Sequence, residues 1–176
     1  MNTDSPAVPA SAGTETPLVA AAEARALAPA LVSGIDAVVR SRLLKVNADA
    51  LLVEVASLLS SAQISVVVVC DSAGAAMGVI TETVLVRRLG LGQADFFSTR
   101  AADVMIAEFT VCSPDDLLND VLAMMHSRGL IHVLVVDAGN MPCGVLNARD
   151  GLRALLAAGT YEETLLRSYV LGIGYQ

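Results

Sequence analysis

The chain has 176 residues, enough for one domain or two small ones with a real core, and its formal net charge of −7 argues against DNA or RNA as the main partner. Hydrophobic residues make up 55% but aromatics only 3%, so the core is aliphatic and the platforms that stack single-stranded bases are missing. No run of about 18 apolar residues predicts a membrane span, and three scattered cysteines (Cys70, Cys112, Cys143) suit neither a disulfide framework nor a zinc site.

Asp4 and Glu15 precede the first basic residue, unlike the positive start of a signal peptide, so a soluble cytoplasmic protein is the expectation. Residues 1–30 hold four of the six prolines (Pro6, Pro9, Pro17 and Pro29) and read as a disordered or loosely helical segment. Within it, Leu18 to Ala28 is Ala-rich and could form a helix that Pro29 ends.

The remainder repeats itself. At an offset of 66, residues 34–90 align with 100–156 without a gap. Identical pairs include Val38/Val104, Asp49/Asp115, Leu51/Leu117, Val67/Val133, Asp71/Asp137 and Gly78/Gly144. Such a register predicts two copies of one supersecondary unit, at 31–95 and 96–158.

In the first unit the pattern predicts a strand at Leu43–Val46 and a helix at Asp49–Ser61. Strands at Ile64–Cys70 and Ala76–Ile80 and a helix at Glu82–Leu89 follow. In the second, the strand Phe109–Cys112 leads to Ser113 as N-cap, Pro114 at the first helical position, and Asp115 and Asp116 at the positive helix end. Leu117, Leu118, Val121, Leu122 and Met125 mark one helical face, and Gly129 suits the left-handed residue after it. A strand at Ile131–Val136, a turn at Asp137–Asn140 and a return strand at Cys143–Leu146 come next. Asn147 then caps a helix from about Ala148 to Ala157. Thr160-Tyr161-Glu162-Glu163 matches a capping box for a separate last helix, in residues 159–176. Leu165, Leu166, Tyr169 and Val170 would give it an apolar face that closes the module or a dimer. The fold class is α+β.

The run Gly129-Leu130-Ile131-His132-Val133-Leu134-Val135-Val136-Asp137, followed by Gly144-Val145-Leu146-Asn147-Ala148-Arg149-Asp150, resembles the cystathionine-β-synthase (CBS) domain. Val66 to Asp71 with Gly78-Val79-Ile80-Thr81 fits the same pattern more loosely. The resemblance covers residues 34–157 and implies two βαββα units paired about a pseudo-two-fold axis, a Bateman module. It implies clefts that take AMP, ADP, ATP, an NAD-type molecule or S-adenosylmethionine. It also implies a homodimer, a regulatory rather than catalytic role, and an unidentified regulated protein.

In the family, a Gly-apolar-apolar-Ser/Thr-x-x-Asp segment opens the last helix; its Asp accepts ribose hydroxyls and its helix start meets phosphate. Asp150 keeps that position, while Asn147 replaces the Ser/Thr. Arg149 and His132 fall where the family carries phosphate-contacting groups, and Ile106, Ala107 and Phe109 where it receives adenine. Plainer roles stand beside these: a helix-start acid for Asp150, a half-buried strand residue for His132, a solvated arginine for Arg149, core packing for Phe109. The first unit has Thr81, but Val84 occupies the Asp position, so its cleft is the weaker one. Arg40 and Arg42 align with Ile106 and Glu108 and are placed near that weaker cleft, within reach of a phosphate, including the tail of a nucleotide bound in the other cleft; the plainer reading is two exposed arginines flanking a strand. No nucleophile elbow, P-loop or metal-ligand spacing is present, so no enzyme activity and no obligatory cofactor are expected. Two functions remain: a nucleotide sensor centred on Asp150, or a ligand-free dimerisation and interaction scaffold.

Overall fold

Each copy of the repeat folds as a strand, a helix, a hairpin and a helix. The computed structural model describes residues 30–92 and 95–170, the stretch 160–170 as helical backbone. The N-terminal reading, the Leu18–Ala28 helix included, lies outside the described residues, as does the side-chain face at Leu165–Val170.

A 3₁₀ turn, Val32–Ile35, and helix α1, Asp36–Ser41, precede the first unit. That unit consists of β1 Lys45–Asn47, α2 Leu52–Ala62, β2 Val66–Cys70, β3 Ala76–Thr81 and α3 Glu82–Gly90. A 3₁₀ turn, Ala101–Asp103, precedes β4 Val111–Cys112, α4 Leu118–Arg128, β5 His132–Val136, β6 Pro142–Asn147 and α5 Ala148–Val170. The sheets have orders β1-β2-β3 and β4-β5-β6; the first pair in each is parallel and the hairpin antiparallel.

Both hairpins shift register at equivalent points, between Val69 and Cys70 and between Val135 and Val136. The repeated aspartates explain the turns that follow. Asp71 Oδ1 accepts the N–H groups of Ala73 and Ala75 at 2.9 Å, and Asp137 Oδ1 those of Gly139 and Met141, also at 2.9 Å. After the helices, Gly129 at φ 65° and Gln63 at φ 55° take the left-handed position.

Two helix starts differ from expectation. Helix α4 begins at Leu118, and Ser113–Asp116 is a turn in which Ser113 N–H donates to Asp116 Oδ2 at 2.8 Å. The carbonyls of Pro114 and Asp116 accept Ser33 N–H at 2.8 Å and Val32 N–H at 3.0 Å, bonds that run to another segment rather than along a helix. Helix α2 likewise begins at Leu52, with Ala48 and Ala50 carbonyls accepting from Ala102 and Ala101. At the other end, the two helices expected around Thr160 are one. Gly159 alone costs a helix only about 1 kcal/mol, and no proline interrupts Ala148–Val170.

The segment leading into each repeat completes the core of the other. Val32 and Val39 are buried with Leu118, Val121, Met125, Val133, Val135 and Leu146. Phe96 and Ala101 are buried with Leu52, Val55, Leu59, Val67, Val69 and Ile80. A third cluster, Val66, Val68 and Cys70 with Leu134 and Val145, joins the two sheets. Strand β2 is therefore covered on both faces, which is why its Val-Val-Val-Val-Cys run shows no polar alternation. Val68 and Leu134 are repeat mates, as are Val79 and Val145, so this contact relates the units by a pseudo-two-fold.

Candidate functional site

Helix α5 starts at the end of β6 and presents Asp150 in its first turn. The Asp150 side chain is 10% exposed, and Arg42 Nε donates to its carboxylate. Arg42 lies just past α1, which packs on β6, and its side chain is 35% exposed. Asn147 Oδ1 accepts the Arg149 N–H at 2.9 Å, a helix cap in the role expected of it.

The Asn147 amide also stands 3.1 Å from His132 Nε2, across the β5–β6 ladder in which the two residues are partners. Ser65 Oγ, just before β2, lies 3.1 Å from the same nitrogen. An amide N–H aimed at Nε2 needs a lone pair there, so the proton sits on Nδ1. Burial pushes the His132 pKa below 6.5, the Arg42 guanidinium pushes it the same way, and Glu82 opposes.

This depression has a definite sign. Below pH 6.5 the unfolded chain takes up a proton that the folded chain resists, so His132 removes stability as pH falls from that value. Urea unfolding at about pH 7.5 and about pH 5.5 should show a smaller acid loss in His132→Gln than in the wild type. An equal loss in both would mean that His132 is not the titrating group.

The other expected site residues fall elsewhere. Arg40 Nε pairs with Asp36 Oδ2 at 2.6 Å on the surface. Arg149 is exposed. Thr81 ends β3 opposite Val66, with no side-chain bond capping α3. Val84 packs against the first core. Ile106 exchanges backbone hydrogen bonds with Val79 of β3, at 2.8 and 3.0 Å. Ala107 and Phe109 line a cavity of about 570 Å³ with Ala76, Val136 and Asn140. That cavity is at the Val136 end of β5, whereas Asp150 and Asn147 are near the His132 end.

The arrangement corrects two placements. Arg42 belongs with Asp150 rather than with the weaker first cleft. Ile106 pairs with Val79 of β3, and Ala107 and Phe109 line the cavity at the Val136 end of β5 rather than joining Asp150. The cause is the crossing of each leading segment onto the other unit. Ser65 carries no signal in the sequence: it aligns with Ile131, so nothing in the repeat marks it.

The cysteine thiols are free, and Cys112 is pushed up to about 12 by burial, with Asp116 and Cys143 adding to the effect. Among the described residues, no helix is long and apolar enough to cross a membrane.

Two three-stranded units joined sheet to sheet, each with a helix opening from its hairpin, are the architecture of a CBS pair. The CBS domain profile matches residues 34–90 and 101–157, and the chain belongs to the CBS domain family. No curated protein matches the chain. Among solved structures, the chain is similar to the CBS-domain containing protein ATU1752 from Agrobacterium tumefaciens at 24% identity and TM-score 0.57, over 64% of this chain and 83% of that one. It is similar to the CBS domain pair of protein MJ0100, in complex with 5′-methylthioadenosine and S-adenosyl-L-methionine, at 17% identity and TM-score 0.63, over 75% and 99%. It is also similar to CBSX2 in complex with AMP, at 20% identity and TM-score 0.57, over 68% and 91%.

Proposed function

We propose that the chain is a regulatory module that binds an adenosine-containing nucleotide reversibly at Asp150 and has no catalytic role of its own. The observation that carries this reading is a nearly buried carboxylate at a helix start, paired with Arg42 and three residues past the Asn147 cap, whose amide meets His132. A carboxylate there can accept two ribose hydroxyls, and the helix start and guanidinium favour phosphate. The adenosine compounds carried by MJ0100 and CBSX2 support the ligand class. Binding would shift the relative stability of states of the module and so signal to a regulated protein.

Calorimetric titration with AMP, ATP, NAD and S-adenosylmethionine tests the reading. At least one should bind below the millimolar range, and Asp150→Ala should weaken it by about tenfold or more. If none binds, the sensing role fails; if Asp150→Ala binds as the wild type does, the site is elsewhere.

The scaffold reading has its own support. Asp150 is already satisfied by Arg42, and the first unit has Val84 where the carboxylate would be. A ligand that binds only the folded state raises the melting temperature, so a scaffold would show no nucleotide-dependent stabilisation.

A further inference from the structure

We propose that His132 is a positioning residue for the Asp150 site: its neutral ring anchors the Asn147 amide, and a proton on the ring loosens the start of α5 and weakens nucleotide binding. The inference rests on the nucleotide reading above and deepens it by naming how that site is regulated. It requires no contact between His132 and the ligand.

The Asn147 amide sets the geometry. Its Oδ1 accepts the Arg149 N–H at 2.9 Å, which fixes the way the amide faces. Nδ2 is thereby turned toward His132 Nε2, 3.1 Å away, and an N–H aimed there needs the lone pair of an uncharged ring. Ser65 Oγ is 3.1 Å from the same nitrogen and, unlike the amide NH₂, can accept as well as donate. A proton on Nε2 therefore changes partners. The new N–H faces Asn147 donor against donor and finds its acceptor in Ser65. The amide, without its anchor, must turn or withdraw, and the bond that holds the Arg149 N–H, one residue before Asp150, goes with it. All three side chains are half-buried, so water relieves the mismatch only in part.

The surroundings bias this switch from several elements. Burial opposes the proton most, Arg42 just past α1 opposes it too, and Glu82 at the start of α3 favours it. On α5, Asp150 is paired with Arg42 and Arg149 is exposed. The first unit lacks the device. Its equivalent cross-strand pair is Val66 and Thr81, neither of which titrates near neutral pH, and Thr81 makes no side-chain cap to α3. The pH response is therefore a property of one cleft.

The test is calorimetric titration at about pH 7.5 and about pH 5.5 with adenosine and with NAD, neither of which changes charge in that window. The proteins are the wild type, His132→Gln, Asn147→Ser and Ser65→Ala. The wild type should bind at least about threefold more weakly at the lower pH; with the ring pKa below 6.5, linkage limits the loss to about tenfold. His132→Gln keeps an acceptor for Asn147 but cannot titrate, and Asn147→Ser caps the helix from its own hydroxyl without His132. In both, the affinities at the two pH values should agree within about 1.5-fold, and Asn147→Ser covers the case in which His132→Gln does not fold. Ser65→Ala removes the acceptor of the protonated ring, so its loss of affinity should begin at a lower pH than in the wild type. Equal wild-type affinity at both pH values, or a pH loss that survives in His132→Gln and Asn147→Ser, overturns the inference and leaves the nucleotide site standing. If neither probe binds at about pH 7.5 the inference also falls, and the nucleotide reading falls with it when AMP, ATP and S-adenosylmethionine fail as well.

Discussion

Gly144→Ala should lower folding stability by about 1–3 kcal/mol, a large share of what a domain of this size has. A Cβ at this position would stand 2.2 Å from a γ-methyl of Val39 and 3.1 Å from the Val39 carbonyl carbon and oxygen. Val39 is 3% exposed and packs in the second core, so its methyl has no free space to enter. Helix α1 must move off β6 instead. The repeat mate makes the point twice. A Cβ at Gly78 would stand 2.8 Å from the Met105 thioether sulfur and 2.9 Å from the Ile106 carbonyl oxygen. The thioether can rotate away, but that oxygen accepts the Val79 N–H and is fixed. Both glycines are therefore where a leading segment lies directly on the edge strand of the other unit. A double-mutant cycle separates this clash from a general loss of packing. In a Val39→Ala background the methyl is gone, and Gly144→Ala should cost less. Costs that add within about 0.5 kcal/mol would show that the two positions do not press on each other. Urea unfolding supplies all four values.

The repeat frame made the fold readable, because each repeated residue type has a local task. Asp71 and Asp137 close hairpins through bonds to their own turns, and Gly129 ends a helix; neither needs a distant partner to be recognised. The Val66–Cys70 run has the length and β-branching of a strand, and the structure buries it on both faces. A local signal misleads where the segment's partner is distant in the chain. Ser113-Pro114-Asp115-Asp116 has the composition of a helix entry, yet its carbonyls bond to Ser33 and Val32, about 80 residues earlier in the chain. Nothing in a local pattern says which unit a segment serves. For the same reason, alignment places Arg42 with Glu108 at the first cleft's entry strand and gives no sign of its direct pairing with Asp150, 108 residues away. Opposite charge at the two positions was the one available signal, and it has meaning only once the crossing of α1 onto β6 is known. Ser65 had no signal at all, since its contact with His132 comes from the meeting of two sheets.

Leu134→Ala should cost about 2–5 kcal/mol and still leave a single unfolding transition. Leu134 is 3% exposed and belongs to neither unit's own core; it sits between the sheets with Val66, Val68, Cys70 and Val145. If the units were independent bodies, weakening the contact between them would let one melt before the other. The leading segments forbid this. The second core contains Val32 and Val39, which precede the first repeat's strands, and the first contains Phe96 and Ala101, which precede the second's. Unfolding either unit strips buried residues from its neighbour, so both lose stability together. Leu146→Ala, fully buried inside the second core, provides the comparison: it should lower the melting temperature in the same concerted way. Scanning calorimetry decides the matter through the ratio of calorimetric to van't Hoff enthalpy, which should stay near one for both variants. Two resolved transitions in Leu134→Ala would mean that the crossed segments do not couple the units. The coupling bears on the proposed regulatory role. Arg42 comes from the stretch before β1 and Asp150 from the start of α5, so the nucleotide binding proposed at Asp150 would act on a residue from each half of the module. With the units coupled as predicted, the binding energy of such a ligand would be felt across the module.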